Sequence, residues 1–271
     1  MASHWIRRFA MLTLGGGLLL PASTPTLSPE CDAANQEASQ LLNAERIGEA
    51  ESLTSSHISQ LAGTTRVDRI CKAILLTNLA IAQERLGKLD QAARSAQDSI
   101  ALIEGVLGRD DPRMRAPLLV LASISVGRGQ YERVTRLLSR VESLENPAPR
   151  ELAVTYGLRS IVYAHQRRLP EAEDFGRRAI DEWGKAGLGD SLNVIPDLSN
   201  LATVLLCQKR PAEAVRLLER SLRILASSPD NVSIRGNILL IAAIAYWNQA
   251  DIERAGEYFQ QAITLQPNLS S

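Results

Sequence analysis

Residues 77–102 read TNLAIAQERLGKLDQAARSAQDSIAL, and this stretch describes one helical hairpin. In each half, small or polar residues recur at steps of three and four, so that they line one face of a helix. Gly87 ends the first half, since glycine adopts the left-handed conformation that closes a helix at little cost. Leu89 follows as an apolar residue in the turn, and Ala92 lies on the second helix. The small residues on the facing surfaces allow the two helix backbones to approach closely.

The same hairpin recurs along the chain. In every copy a small residue of the first helix precedes a small or β-branched residue of the second helix by twelve positions. These anchor pairs are Ala38/Ala50, Ala80/Ala92, Ala122/Val134, Ser160/Ala172, Ala202/Ala214 and Ala243/Ala255. Successive second-helix anchors are 38 to 42 residues apart. One hairpin has too little core to be stable alone, so this period predicts an array of stacked copies.

The pattern of small residue, helix-ending glycine, apolar turn residue and alanine resembles the tetratricopeptide repeat, from Cys31 to Pro267. The long period, the openings Asn78-Leu79-Ala80 and Asn200-Leu201-Ala202, and the linker at 107–112 resemble the long-helix subtype typified by kinesin light chain. The resemblance implies an all-α, right-handed superhelical solenoid of about six helix-turn-helix repeats.

Three positions depart from this pattern. Asp111 stands where the subtype commonly has histidine before proline, and one copy has Ser160 for alanine and Arg167 for glycine.

The first 22 residues form a separate segment. Arg7 and Arg8 precede a short apolar run at 9–20, which ends at Pro21-Ala22. This order is typical of a secretory signal peptide, with cleavage expected after Ala22, and a retained anchor is the alternative. Residues 23–30 then form a disordered leader, 31–267 the repeat solenoid and 268–271 a tail. The signal style and the preference for arginine over lysine favour the bacterial periplasm or cell envelope.

Charge and chemistry exclude several classes of function. The chain has 30 basic and 30 acidic residues, so no overall field attracts it to nucleic acid or to an anionic membrane. His57 and His165 are isolated from a second ligand at metal spacing, and no catalytic signature accompanies Cys207 and His165. We therefore expect no enzyme, no metal and no cofactor.

The cysteines suggest one link. Cys31 and Cys71 lie near the starts of the first helices of adjacent copies, where stacked repeats bring helix ends together. A disulfide between them is predicted for an oxidising compartment, and two ordinary small core residues are the alternative. Cys207 is predicted to be packed and unpaired.

Binding is the remaining function. In tetratricopeptide arrays the first helices line the concave face, where extended partner segments lie. By that resemblance the candidate partner-binding residues are Asn78, Arg85, His165, Asn200, Thr203, Trp247 and Asn248. Asn78 and Asn200 resemble the asparagine that bonds peptide main chain, and bonding to the neighbouring repeat is the alternative. Trp247 is a candidate apolar anchor, and core packing against Tyr246 and Phe259 is the alternative.

The sequence thus favours a non-enzymatic scaffold that binds a protein or peptide partner. A second hypothesis starts from the last helix, which carries Ile252, Tyr258, Phe259 and Ile263 without a predicted capping helix after it. This helix is expected to expose apolar surface or to pair with another chain, as in a self-assembling component of a cell-envelope complex.

Overall fold

A computed structural model describes residues 27–228 and 231–265, and every regular element in these ranges is helical. The α-helices are α1 (Pro29–Asn43), α2 (Ile47–Gln60), α3 (Arg66–Arg85), α4 (Leu89–Leu107), α5 (Arg115–Gly127), α6 (Tyr131–Glu142), α7 (Pro149–His165), α8 (Leu169–Lys185), α9 (Ile195–Cys207), α10 (Pro211–Ala226), α11 (Val232–Trp247) and α12 (Ile252–Leu265). Short 3-10 helices at Pro112–Met114 and Leu192–Val194 precede α5 and α9. The signal-peptide prediction and the predicted tail lie outside the described residues.

The helices form the six predicted hairpins, α1/α2 through α11/α12. All twelve anchor residues are buried, none more than 5% exposed. In the hairpin around Ser160, the hydroxyl donates to the carbonyl of Ala172 at 2.7 Å, so the two anchors of that copy are also joined by a hydrogen bond. Second helices pack against the next first helix, for example α2 on α3 and α10 on α11. The all-α repeat fold predicted from the sequence is confirmed.

Each hairpin turn has a left-handed residue seven positions after the first-helix anchor. Glycine occupies this position twice, at Gly87 and Gly129, and the other four copies hold Glu45, Arg167, Lys209 and Ala250. The φ angle of Arg167 is 62°, so the copy that departs from the glycine pattern keeps the turn. A side chain makes this conformation costly, by roughly 1–2 kcal/mol.

The chain divides into two compact units, residues 1–158 and 159–271, with the boundary inside α7. The first unit contains a disulfide between Cys31 and Cys71, whose Cα atoms are 5.9 Å apart, and it ties α1 to α3. In the second unit Trp183 is fully buried, and its Nε1 donates to Asp197 Oδ2 at 2.7 Å. Burial raises the pKa of this aspartate to about 7, although the hydrogen bond from Trp183 acts in the opposite direction. No helix in the described part of the chain is long and apolar enough to span a membrane.

Candidate functional site

The first-helix surface of the first unit contains two of the predicted binding residues, both turned toward α1. Asn78 is only 4% exposed, and its Nδ2 donates to Asn35 Oδ1 at 2.8 Å. Arg85 donates from Nη1 to the carbonyl of Leu42 at 2.8 Å and lies 3.5 Å from Glu45. Asn78 therefore makes the bond to the neighbouring repeat that was the alternative interpretation of this asparagine.

A buried acid lies beside this pair. Burial raises the pKa of Glu84 to about 7, against the opposing effects of a hydrogen bond with Ser123 and the charge of Arg85. Its Oε2 atom has no hydrogen-bond partner. Burial also lowers the pKa of Arg150 to about 10, and repulsion by Arg85 adds to the shift. The sequence pattern indicated neither Glu84 nor Arg150, because repeat spacing says nothing about which polar residues are buried.

The first-helix surface of the second unit differs at the asparagine. Asn200 on α9 is half-buried, and its Nδ2 atom is shielded from solvent without a hydrogen-bond partner. One turn along the helix, Thr203 donates to the carbonyl of Ser199 at 2.9 Å. An unpaired buried donor costs about 1–3 kcal/mol, so a group that accepts from Asn200 would stabilise this surface.

The copies of the second unit share an exposed position at the ends of their first helices. The fifth position after the first-helix anchor is His165 on α7, Cys207 on α9 and Asn248 just after α11, and all three are exposed. The prediction that Cys207 is packed is wrong: it is an exposed free thiol, because this position at the helix end faces away from the hairpin partner. Among the described residues, no cluster of histidine, cysteine and carboxylate side chains is suited to hold a metal ion.

Trp247 lies in a different environment from the other candidates. It is 63% exposed, and Ile244, one turn earlier on α11, is also exposed. Tyr246 is buried instead: its ring lies tilted against that of Tyr258 with 5.1 Å between the ring centroids, and its hydroxyl donates to Glu219 at 2.8 Å. Trp247 therefore does not occupy the core position that was the alternative interpretation.

Comparison with known proteins places the fold in a family. Sequence profiles described as tetratricopeptide repeat match residues 73–113, 151–227 and 237–269, which together cover more than half of the chain. No curated protein sequence matches the chain.

Solved structures share the fold at low sequence identity. BtubC (BKLC) from P. vanneervenii is 15% identical over 84% of this chain and 92% of its own, with a TM-score of 0.61. One chain of the APC/C hetero-tetramer Cut9-Hcn1 is 16% identical over 89% of this chain and 41% of its own, with a TM-score of 0.69. A putative kinesin light chain from Podosopora anserina, with nearly identical TPR-like repeats, is 20% identical over 72% and 94%, with a TM-score of 0.52.

The similarity to these structures shows the fold, and the sequence profiles identify the repeat as the tetratricopeptide repeat. Members of this group are typically non-enzymatic, and their stacked hairpins present surfaces to other proteins. The chain belongs to the tetratricopeptide repeat family of protein–protein interaction scaffolds.

Proposed function

We propose that this protein is an exported scaffold that binds an extended segment of a partner protein on the first helices of its second unit. The binding surface, called here the Asn200 surface, comprises Asn200, Thr203 and the exposed row His165, Cys207 and Asn248. The observation that carries the proposal is the half-buried side chain of Asn200, whose Nδ2 atom is shielded from solvent and has no acceptor, so that a turn of the side chain toward the surface would give the amide an acceptor on a bound peptide. A main-chain carbonyl of an extended peptide is a suitable acceptor, because a side-chain amide offers one donor group and one acceptor to a backbone.

The first unit is the weaker candidate for this role. Asn78 already donates to Asn35, and Arg85 already donates to the carbonyl of Leu42. A peptide that bound there would have to replace these bonds, so it would gain less than at an amide without a partner. For the same reason, we place the peptide main chain at Asn200 and not at Asn78.

Export is supported by two separate features. The basic and then apolar order of residues 1–22 is typical of a signal peptide. The disulfide between Cys31 and Cys71 is of a kind that persists in oxidising compartments and is rare in the cytosol. We propose the bacterial periplasm or cell envelope as the compartment in which the scaffold acts.

The free thiol gives a direct test. A photo-crosslinking maleimide attached to Cys207 places the probe on the Asn200 surface, and protein isolated from the envelope is expected to react at this cysteine alone, since Cys31 and Cys71 are bonded. Irradiation in envelope extract then identifies the partner segment, and a synthetic peptide of that segment is titrated against the unlabelled protein.

The expected result is that Asn200→Ala weakens binding of this peptide about tenfold, which corresponds to about 1.4 kcal/mol, with an unchanged melting temperature or a slightly raised one. Gln97→Ala, an exposed amide on the second helix α4, is the matched control and should bind like the wild type. Equal affinity of the wild type and Asn200→Ala would contradict the proposal.

A further inference from the structure

The last hairpin exposes four large apolar side chains. Ile244 and Trp247 lie on α11, Ile252 and Phe259 lie on α12, and their exposed fractions run from 44% to 63%. We call these four residues the terminal surface. Together they expose roughly 400–500 Å² of apolar area per copy of the chain, a size that on a soluble protein usually marks an interaction site.

Repeat position explains why these residues are exposed. The counterparts of Phe259, four residues after the second-helix anchor, are buried in all five earlier copies: Thr54, Ala96, Leu138, Gly176 and Leu218. Ile244 and Trp247 also occupy positions that are buried in the first four copies and half-buried in the fifth. In the earlier copies the next hairpin covers these positions, as α5 covers α4 and α11 covers α10. Phe259, Ile244 and Trp247 therefore mark a repeat junction that no described residue covers, and Ile252 lies beside it on the same face of α12 as Phe259.

The first hairpin, at the opposite end of the array, has polar residues where the later hairpins have apolar ones. Two residues after the first-helix anchor, the later copies hold a buried apolar residue in the core: Ala82, Ile124, Val162, Val204 and Ala245. In α1 this position is Gln40, which is exposed, and Glu37 beside it is exposed as well. A head-to-tail stack of two chains would bury these polar groups against Phe259 without partners, which costs free energy. The N-terminal hairpin is therefore a poor occupant of the terminal surface.

We propose that the terminal surface binds the terminal surface of a second copy of this chain, related by a two-fold axis. Gly256 lies between Ile252 and Phe259 on one face of α12, and a Cβ there would meet no neighbouring group within 4 Å. Two α12 helices that cross antiparallel at Gly256 can approach closely, and Phe259 of one copy then lies beside Ile252 of the other. An isologous contact of this kind closes after two copies and does not continue into a fibre.

The apolar area of the terminal surface and the net charge of the chain are both compatible with a second copy as the partner. Two terminal surfaces together bury roughly 900 Å² of apolar side chain, and with a polar rim the contact reaches the lower range of specific interfaces. Without residues 1–22, which hold Arg7 and Arg8 and no acid, the chain has 28 basic and 30 acidic residues, so only weak overall repulsion opposes the meeting of two copies. Both features predict a dimer that dissociates reversibly at micromolar concentration.

Sedimentation equilibrium from about 1 to 100 µM tests the dimer. The wild type should fit a monomer–dimer equilibrium, and Phe259→Glu and Ile252→Lys should each weaken it at least tenfold while the melting curves show folded protein. Gln261→Glu is the matched control, since it adds the same charge to the opposite side of α12 and should leave the dimer intact. An equimolar mixture of Phe259→Glu with Ile252→Lys should associate again, because the antiparallel crossing brings the introduced carboxylate beside the introduced ammonium.

Three results would overturn the proposal: a wild type that stays monomeric over the whole range, association that grows without limit as in a fibre, or a dimer that neither substitution weakens. The dimer does not depend on the peptide site. Asn200→Ala should leave the dimer constant unchanged, and Phe259→Glu should leave peptide affinity unchanged, so failure of one proposal can be told from failure of the other.

Discussion

At the scale of single residues, Glu84 shows how burial of one acid couples stability to pH. Its pKa is about 7 in the folded protein against an ordinary value of 4.5, so between these pH values the folded chain holds a proton that the unfolded chain has lost. The free energy of unfolding therefore falls as pH rises from about 4.5 to about 7. Glu84→Gln removes this loss, and we expect it to raise the free energy of unfolding at pH 8 by on the order of 2 kcal/mol.

Urea denaturation at two pH values checks this. Near pH 4.5 the wild type and Glu84→Gln should have nearly equal stability, because the wild-type carboxyl is protonated in the folded state and only half ionised in the unfolded state. Glu37→Gln, a change in an exposed acid on α1, controls for the altered net charge. A difference of the same size at both pH values would show that Glu84 acts through its packing and not through its ionisation.

Residue-scale detail is also where the sequence was least informative. Asn78 and Asn200 both stand in an Asn-Leu-Ala opening, yet only Asn78 has a bonding partner for its amide nitrogen, Asn35. In the repeat register the counterpart of Asn35 one copy before Asn200 is Gly157, which has no side chain to offer. The difference between Asn78 and Asn200 could therefore be predicted from the sequence, but from the residue in the preceding copy and not from the Asn-Leu-Ala motif.

At the scale of the element, the turn of each hairpin requires one residue in the left-handed conformation. Gly87 and Ala250 occupy the same position with φ angles of 74° and 62°. Ala250→Gly should raise the free energy of unfolding by about 0.5–1 kcal/mol, and Gly87→Ala should lower it by about 1 kcal/mol, because only glycine adopts this conformation without strain. Chemical denaturation measures both changes.

Gly105→Ala is the control for this pair. Gly105 lies inside α4, and a Cβ there, like one at Gly87, would meet nothing within 4 Å. The same substitution should therefore stabilise the helix by up to about 1 kcal/mol, opposite in sign to Gly87→Ala. If both alanine variants shifted stability in the same direction, backbone conformation would not be the cause. From residue type alone, a left-handed turn could be predicted only at the copies that have glycine. The other four copies have Glu45, Arg167, Lys209 and Ala250 at this position, and only the repeat register shows that their φ must be positive as well.

At the scale of the whole molecule, the anchor pairs were sufficient to predict the six hairpins. A fixed spacing of twelve sets the length of each turn, and burial of both anchors sets which faces meet, so the pattern holds even where Ser160 or Val134 replaces alanine. The sequence also predicted exposed apolar surface on α12, where Ile252 and Phe259 are exposed, but only the structure showed that Ile244 and Trp247 on α11 are exposed with them. The family resemblance placed Trp247 on the concave face, but its repeat position is one that the next hairpin covers in earlier copies, and no described residue covers it here.

The repeat architecture also determines how far a local change spreads. In a stacked repeat array the contacts of each hairpin are with its neighbours along the chain, so stability is close to a sum of local terms. The bond between Cys31 and Cys71 closes a loop of 40 residues within the first unit, and chain entropy gives it about 4 kcal/mol. Reduction, or Cys31→Ser with Cys71→Ser, should therefore raise amide hydrogen exchange in α1 to α3 and leave α9 to α12 unchanged. Cys207→Ser, which removes a thiol without breaking a bond, should leave exchange unchanged in both units, whereas equal acceleration in both units on reduction would mean that the array unfolds as a single cooperative body.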